Sequence, residues 1–534
     1  MERNRSSLAY ILFIVLVIGL VFRLIPTTVF NEPYSTDIWP LIKISRKLLE
    51  NPDLKIFDDR FFDGYNNRWP GVVLSTTVAS IITDLDIYTV YRYLHPIIVI
   101  TTFSILVYIL LKTLYRNKKL CSIGLLYFLT VPSLIVFTSA LLKEVYAYVF
   151  LYILLIYALR KWGNLRREII LVLIVSLALA ISHYFVTLIV VGILGSTLIA
   201  YLIAKAMGYI RSFEKDHTIS QIISILIIVS LAFSTYYSLI GHTAFKIRFT
   251  VYDLLPYVFY STFVFGSYTL YLRHDKGFIP KIIILSIVSF LLVLAIALGV
   301  PMLSGLEIRS NVIPYYTVPV ALPFILFINR ESGRQYLLKY LLNGLLLFMM
   351  INTLFIVFSK PEFSTIFHRI ANYLVLANTL LIVSKLSITR RKSIMVIAPA
   401  LSFVSLIFGG IVVMGIATGM DDLVYYWSYR EPEIHGFNYA LNYSMDEMIL
   451  SGDAKVSYFI SIDRSVDASI VLKAEYSNYH VDNRSIVILY KDNYVWGYVV
   501  SLSVYKIDRF IDQLTSIYRI YDNSYVNILT GWED

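Results

Sequence analysis

The chain has 534 residues, of which 58% are hydrophobic and only 15% are charged, and its formal net charge is +10. This apolar content, with a mean hydropathy of +0.70, exceeds what a single soluble core of this length could bury. These values exclude an ordinary soluble globular protein and predict a polytopic α-helical membrane protein. The single cysteine, Cys121, excludes an intrachain disulfide.

The first apolar segment, residues 8–25, follows Arg3 and Arg5, as the core of a secretory signal would. No small-residue cleavage site follows it, and Arg23 and Pro26 end the run. The segment is therefore interpreted as an uncleaved first span.

Apolar runs about as long as a membrane-crossing helix recur through the first 418 residues. Thirteen spans are predicted, at residues 7–26, 88–111, 120–138, 145–160, 168–182, 184–204, 219–240, 254–272, 281–300, 311–328, 337–358, 370–388 and 393–417. Lys and Arg concentrate in alternate connections, as they do in short cytoplasmic loops. The amino terminus is therefore expected in the cytoplasm and the chain after residue 418 outside. Because this orientation accounts for most of the positive charge, no basic patch is left for a nucleic acid.

The first external loop, residues 27–87, is longer than a connection between two spans requires, which is typical of a functional segment. It contains "STDIWP", with Asp37 beside Trp39 at the start of an apolar periodic run. Its second half, "FDDRFFDGYNNRWPGVVLSTTVASII" at 57–82, alternates polar and apolar groups and is followed by the acidic turn "TDLD". It predicts a helix that lies at the membrane interface or re-enters the membrane. Trp39 and Trp69 are expected to be interfacial anchors.

The composition changes after Met420, which divides the chain into a transmembrane domain, 1–418, and a small external α/β domain, 419–534. Strands are expected at 455–462, 485–490 and within 496–505, and a short amphipathic helix at 506–518. A closing strand is expected at 522–531.

Ionisable side chains at the outer edge of the spans are costly to place there, so they are the functional candidates. They are Asp37, Lys143, Glu144, His183, His242, Lys246, Arg248, Glu307, Arg309, Lys360, Glu362, His368 and Arg369.

Structural explanations compete for several of these candidates. Asp37 could be a helix cap, and Lys143 with Glu144 could be a local ion pair. His183 could be a satisfied structural histidine. Lys246 and Arg248 could be snorkelling residues, and Arg369 could be an ordinary helix-end residue.

Three stretches, "STDIWP" after the first span, "LLKEVYAY" at the fourth and "GLEIRSN" between the ninth and tenth, occur in a layout that resembles the GT-C glycosyltransferases. These integral membrane enzymes take a sugar from a polyprenyl phosphate or pyrophosphate lipid. The resemblance implies that Asp37 is the catalytic or metal-binding carboxylate and that Glu144 is its partner. Glu307 would be a third ligand if the enzyme uses a divalent metal, Mg²⁺ or Mn²⁺.

The resemblance includes the oligosaccharyltransferases in layout but departs from them in one motif. Those enzymes carry a WWDYG-type motif in the external domain, and the nearest stretch here, "YYWSYREPE" at 425–433, lacks that pattern. Asparagine-linked transfer is therefore not implied.

The chemistry of a phosphate-linked sugar donor supports the same residues. Negative charge that develops on the leaving phosphate needs cations, for which Arg369, His368, Lys246 and Arg248 are candidates, and His183 is a further substrate-binding candidate. The acceptor needs a carboxylate as general base or metal ligand, for which Asp37 is the first choice.

The predicted function is transfer of a sugar from a polyprenyl-linked donor in the membrane lipid to a glycan, lipid or protein acceptor at the outer face, with inversion. A transporter or lipid-linked sugar flippase is the main alternative, although it would be expected to place paired charges at mid-bilayer depth. A non-enzymatic surface anchor or assembly factor is a third hypothesis, but it leaves the long first loop unexplained.

Overall fold

The structure is a computed structural model, and it places a defined part of the chain. The described residues are 2–115, 117–208, 217–244, 251–273, 313–323, 326, 336–359, 364–388, 392–418, 428–445, 447–460, 462–477, 481, 484–495, 497–500, 503–516 and 518–530.

The described residues before 419 lie mostly in helices. In chain order α1 to α16 are Glu2–Phe30, Ile38–Glu50, Gly71–Thr83, Ile87–Thr89, His95–Leu114, Lys118–Thr130, Pro132–Thr138, Lys143–Leu159, Leu165–Ser182, Tyr184–Ala206, His217–Leu239, Val251–Arg273, Ile313–Ala321, Tyr336–Ser359, Ser364–Ile388 and Lys392–Thr418. A π-helical turn, Val90–Leu94, joins α4 to α5.

Among the described residues, five helices are long and apolar enough to cross a membrane, and a bent pair raises the number to six. The five are Ala9–Phe30, Ile87–Leu114, Tyr184–Ala206, Ile219–Leu239 and Met395–Thr418. Helices occupy the other predicted spans as well, except 281–300, which lies outside the described residues, and 311–328, which is described in part. The count of thirteen spans stays a prediction.

The predicted span 120–138 is not one straight helix, because α6 and α7 meet at an angle of 66°. Pro132 begins α7 and has no N–H to offer the preceding turn. The buried guanidinium of Arg23 donates to the freed carbonyl of Leu129 at 2.8 Å and to Thr138 Oγ1 at 2.6 Å. Arg23 of α1 therefore supplies a hydrogen bond to the carbonyl group left without a helical partner at the break, as a buried backbone carbonyl requires.

The first loop contributes two helices, as the sequence indicated. α2 buries an apolar face that begins with Ile38 and Trp39. α3 is a short apolar helix of 13 residues, too short to be a typical full span. It begins at Gly71, where an added Cβ would lie 2.9 Å from Ser182 Cα. This close approach brings the end of the loop against the junction of α9 and α10.

The C-terminal region combines a sheet with short helices. The helices α17 to α21 are Glu431–Tyr443, Ala454–Ile460, Ser469–Tyr476, Lys491–Val495 and Asp508–Asp512, and the strands β1 to β6 are Ile449–Ser451, Ser485–Tyr490, Tyr498–Val500, Ser503–Tyr505, Tyr518–Asp522 and Val526–Thr530. Four strands form a sheet in the order β1-β2-β6-β5, in which β1 and β2 are parallel and the other pairs antiparallel. β3 and β4 form a separate hairpin.

The central strand β2 is buried on both sides. Ile486 and Ile488 face one apolar cluster, whereas Val487 and Leu489 face another, as the alternation of side chains along a strand requires. The strand expected at 485–490 is confirmed, and the closing strand lies at 526–530 within the expected 522–531. The segment 496–505 forms the hairpin of β3 and β4, and the helix expected at 506–518 is shorter, with α21 at 508–512 followed by a 3₁₀ turn at 513–516. The strand expected at 455–462 is wrong, because residues 454–460 form α18.

Candidate active site

Asp37 stands at the amino-terminal end of α2, but its side chain makes no capping hydrogen bond to that helix. Its backbone N–H donates to Ser35 Oγ at 3.3 Å, and Ser35 has a φ of 95°, a region that costs a residue other than glycine conformational energy. Capping therefore does not account for the carboxylate. Burial raises the pKa of Asp37, and the nearby charges of Arg369 and Lys143 oppose that rise.

Glu144, at the start of α8, lies buried between two helices. Its Oε1 accepts hydrogen bonds from Tyr148 at 3.1 Å and from Tyr373 at 3.3 Å. Its Oε2 lies 3.7 Å from Arg369 Nε. In the described part of the chain the ionic partner of Glu144 is thus Arg369 of α15, a residue distant in sequence, and not its neighbour Lys143.

Lys143 is buried and held by the first loop. Its Nζ donates to Asn66 Oδ1 at 2.7 Å and lies 4.1 Å from the centre of the Tyr65 ring. Asn66 is in turn fixed by Asp63, which accepts its backbone N–H at 2.7 Å and its side-chain N–H at 2.5 Å. The ammonium group therefore keeps polar and aromatic contacts in a buried position, as a desolvated cation requires.

Arg369 connects the two carboxylates electrostatically. It is 29% exposed on its side chain, and its charge acts on both Asp37 and Glu144. Two acids and two cations, Asp37, Glu144, Lys143 and Arg369, thus converge from the first loop, α8 and α15. The interpretation of Arg369 as an ordinary helix-end residue does not explain these interactions.

His183 lies at the same junction, between α9 and α10. It is buried, its Nδ1 accepts a hydrogen bond from the Val186 N–H at 3.4 Å, and its ring stacks on Tyr184. The charges of Lys143 and Arg369 act on it. These contacts favour the structural interpretation of His183, at the edge of the candidate site.

Several sequence candidates fall where the structure gives no side chain. Lys246, Arg248, Glu307, Arg309, Lys360 and Glu362 lie outside the described residues, and of His368 only the backbone, in α15, is described. His242 lies in a short 3₁₀ turn, Gly241–Thr243.

The carboxylates considered for a metal are not shown to form a metal site. No group of three or more His, Cys, Asp or Glu side chains in the described portion of the chain could hold an ion. Because Glu307 is outside that portion, the set of Asp37, Glu144 and Glu307 stays a prediction.

Four residues of the neighbourhood were not anticipated from the sequence. Tyr65 and Asn66 come from the first loop, Tyr373 from α15, and Tyr458 from α18. The Asp37 carboxylate is the main cause that raises the pKa of Tyr458, which places the C-terminal region close to the acid. A fifth residue, Tyr148, lies four residues after Glu144 on the same helix, a spacing that could have predicted its contact with Glu144.

The arrangement places the Asp37 carboxylate, which is not used in capping, near Arg369 and Lys143, which make no direct ion pair with it. A carboxylate can accept a proton and nearby cations can stabilise an anion, so both functions are available in the same place. The tyrosines and Asn66 supply hydroxyl and amide groups around them.

Comparison with known proteins gives little further constraint. No family model and no curated protein matches the chain. Among solved structures, the crystal structure of ArnT from Cupriavidus metallidurans in the apo state covers 100% of both chains, with 10% sequence identity and a TM-score of 0.41. This likeness is too weak to assign a family.

Proposed function

We propose that this chain is a membrane glycosyltransferase that moves a sugar from a polyprenyl phosphate or pyrophosphate lipid to an acceptor at the outer face. The observation that carries this proposal concerns the Asp37 carboxylate. It stands at the start of α2 but makes no capping hydrogen bond to that helix, and it interacts electrostatically with Arg369 and Lys143. A helix end that served only structure would use the acid as a cap.

Each charged group has a role in this reaction. Asp37 is the general base, or the ligand of a divalent metal if Glu144 and Glu307 join it. Arg369 and Lys143 stabilise the phosphate as it leaves, because fixed cations in a water-poor site favour developing negative charge. Glu144, bound to Arg369 and to two tyrosine hydroxyls, orients the guanidinium.

The transfer is a single displacement. An acceptor oxygen or nitrogen attacks the anomeric carbon while the bond from that carbon to the phosphate oxygen breaks. The phosphate keeps the electron pair and remains on the lipid, and Asp37 takes the acceptor proton. Attack opposite the leaving group inverts the anomeric centre, so a product with retained configuration would contradict this mechanism.

Complementation tests the proposal. A strain that lacks the gene receives the wild-type chain, Asp37→Asn, or Asp53→Asn, a matched carboxylate change at an exposed position of the same loop. Membrane levels are equalised, and surface glycans and glycolipids are compared by mass spectrometry. The wild type and Asp53→Asn should restore a missing sugar, and Asp37→Asn should reduce it by about 100-fold or more, the usual contribution of a general base. Full restoration by Asp37→Asn would overturn the proposal.

A further inference from the structure

Helix α2, which carries Asp37 at its start, is fastened to the C-terminal region by two lysines. Lys43 Nζ is paired with the Asp463 carboxylate, and Lys47 Nζ donates to the Ile462 carbonyl at 2.9 Å. Both partners belong to the turn that follows α18. The Lys43 side chain is only 12% exposed, so this pair is less screened by water than an ordinary surface ion pair.

An aromatic contact reinforces the same junction. The ring of Trp39, two residues after Asp37, lies 4.8 Å from that of Phe459 and 5.5 Å from that of Tyr429. Lys43 Nζ also lies 4.6 Å from the centre of the Phe459 ring. Rings at these separations and tilts stabilise one another beyond the area they bury. α2 is therefore held at its first turn and again at its middle.

The surface that receives α2 is itself rigidly built. The Tyr429 hydroxyl donates to the Lys455 carbonyl at 2.7 Å, and the Lys455 ammonium is bound by both oxygens of Glu433, at 2.9 and 3.0 Å. Lys455 and Glu433 are each about fully buried. A buried network of this kind has few alternative arrangements, so α18 is a fixed support.

We propose that the C-terminal region positions Asp37, and that Lys43 and Asp463 are the positioning residues through which it does so. The carboxylate stands at the amino-terminal end of a short amphipathic helix, with no capping hydrogen bond of its own to fix it. Its place relative to Arg369 and Lys143 therefore depends on what holds α2. The catalytic part of this proposal rests on the proposed function.

Hydrogen exchange of the full-length protein tests the mechanical part. Asp463→Ala removes the partner of Lys43, and Asp522→Ala is the matched control, because Asp522 forms an ion pair with Arg519 and is equally exposed, 39% against 37%. Exchange in residues 38–50 should rise by about threefold or more in Asp463→Ala and stay unchanged in Asp522→Ala. Lys43→Met, which cuts the pair from the other side, should reproduce the increase. Unchanged exchange in both Asp463→Ala and Lys43→Met would overturn the proposal.

The complementation assay tests the catalytic part. In a strain where Asp37→Asn fails to restore the sugar, Asp463→Ala should lower the rate of transfer by about tenfold or more, since small displacements of a reacting group are costly. The pH at which the activity of Asp463→Ala falls on acidification should also differ from that of the wild type. Asp463→Glu and Asp522→Ala should behave as the wild type.

Two results separate failure of this inference from failure of the proposed function. Hydrogen exchange in α2 could be faster in Asp463→Ala while the rate of sugar transfer and its pH dependence stay unchanged. That result would overturn the positioning role alone. Full activity of Asp37→Asn would instead remove the proposed function, and the exchange measurement would still decide whether Asp463 holds α2.

Discussion

At the scale of single residues, the cost of burying charge explains both what the sequence revealed and what it hid. Asp37, Glu144 and Arg369 were identified because an acid or a guanidinium at a span edge needs a reason to be there. Their partners were not, because Asn66 and Tyr65 reach Lys143 through a loop whose path no periodicity encodes. The sequence thus identified all four charged groups, Lys143 included, but not the polar side chains around them.

The first prediction concerns the acid limb of the pH–activity profile, the range in which activity falls as the pH is lowered. Because burial raises the pKa of Asp37 above its ordinary 3.8, activity should fall as pH drops through a midpoint above that value. Arg369 opposes the rise, so Arg369→Gln should raise the pKa of Asp37 further and move the limb to higher pH. Rates of sugar transfer measured across pH, with Arg519→Gln as the surface control, check this. A limb that moves to lower pH would contradict the assignment of Arg369.

The second prediction concerns stability, and its sign follows from the same shift. A carboxyl whose pKa is raised on folding adds stability below its ordinary pKa of 3.8, and this contribution is lost as pH rises through the folded value. At pH 7, well above the ordinary pKa of an aspartate, Asp37 therefore lowers the free energy of unfolding. Asp37→Asn should raise the free energy of unfolding at pH 7 by about 1 kcal/mol, the usual size of such active-site trade-offs.

Thermal unfolding in detergent at pH 7 and at pH 3 measures this effect. The gain should shrink at the lower pH, where the wild-type carboxyl is protonated. Asp53→Asn, on the exposed part of the same loop, should change neither value. A loss of stability in Asp37→Asn at pH 7 would mean that the attraction of the carboxylate to Arg369 and Lys143 outweighs the cost of burying it.

At the scale of elements, hydrophobic periodicity predicted most helices, and its errors have identifiable causes. Residues 455–462 alternate polar and apolar side chains, which indicated a strand, yet Asp453 accepts the N–H groups of Lys455 and Val456 at 3.0 and 3.1 Å and begins a helix there. That cap was a readable signal. The bend before Pro132 was signalled by the proline, but its stabilisation by Arg23 depends on a contact across more than 100 positions, which sequence alone does not reveal.

The third prediction tests the close packing of α10 against α14. A Cβ added at Gly344 would lie 2.4 Å from Thr197 Cα and 2.6 Å from the Thr197 backbone nitrogen. It would therefore clash with backbone atoms, which cannot move away as a flexible side chain can. Gly344→Val should therefore cost about 2 kcal/mol by overpacking. Gly266 in α12 has nothing within 4 Å, and Gly266→Val controls for placing a β-branched residue in a helix. Equal unfolding temperatures for the two variants would contradict the packing.

The fourth prediction tests the buried pair in the C-terminal region. Lys455→Met leaves the Glu433 carboxylate buried without its cation and should cost about 3 kcal/mol. Lys455→Met combined with Glu433→Leu removes both charges and should recover most of that loss. Limited proteolysis of the full chain, with cleavage followed between residues 428 and 530, measures both variants. A double variant as unstable as the single one would show that Glu433 stabilises this region through its hydrogen bond from the Arg430 N–H, at 2.9 Å, rather than through the ion pair.

At the scale of the whole molecule, the site depends on parts that the sequence presents as separate. The long apolar helices lie before residue 419, and the described elements after residue 427 are short and mixed; the domain boundary at 418 stays a prediction. What composition could not indicate is that α18 rests on α2, since the contact of Trp39 with Phe459 joins the first loop to the last hundred residues. If the first loop is external, the C-terminal region must therefore be external too.

The fifth prediction tests that orientation. Basic residues in alternate loops predict that the loop around Lys161 is cytoplasmic and that the C-terminal region is outside. In a Cys121→Ser background, cysteine is introduced by Asn442→Cys on α17 or by Lys161→Cys between α8 and α9, both exposed positions. A membrane-impermeant maleimide should label position 442 in intact cells and position 161 only after permeabilisation. The reverse pattern would place Asp37 on the cytoplasmic face, and the acceptor would then have to be a cytoplasmic molecule.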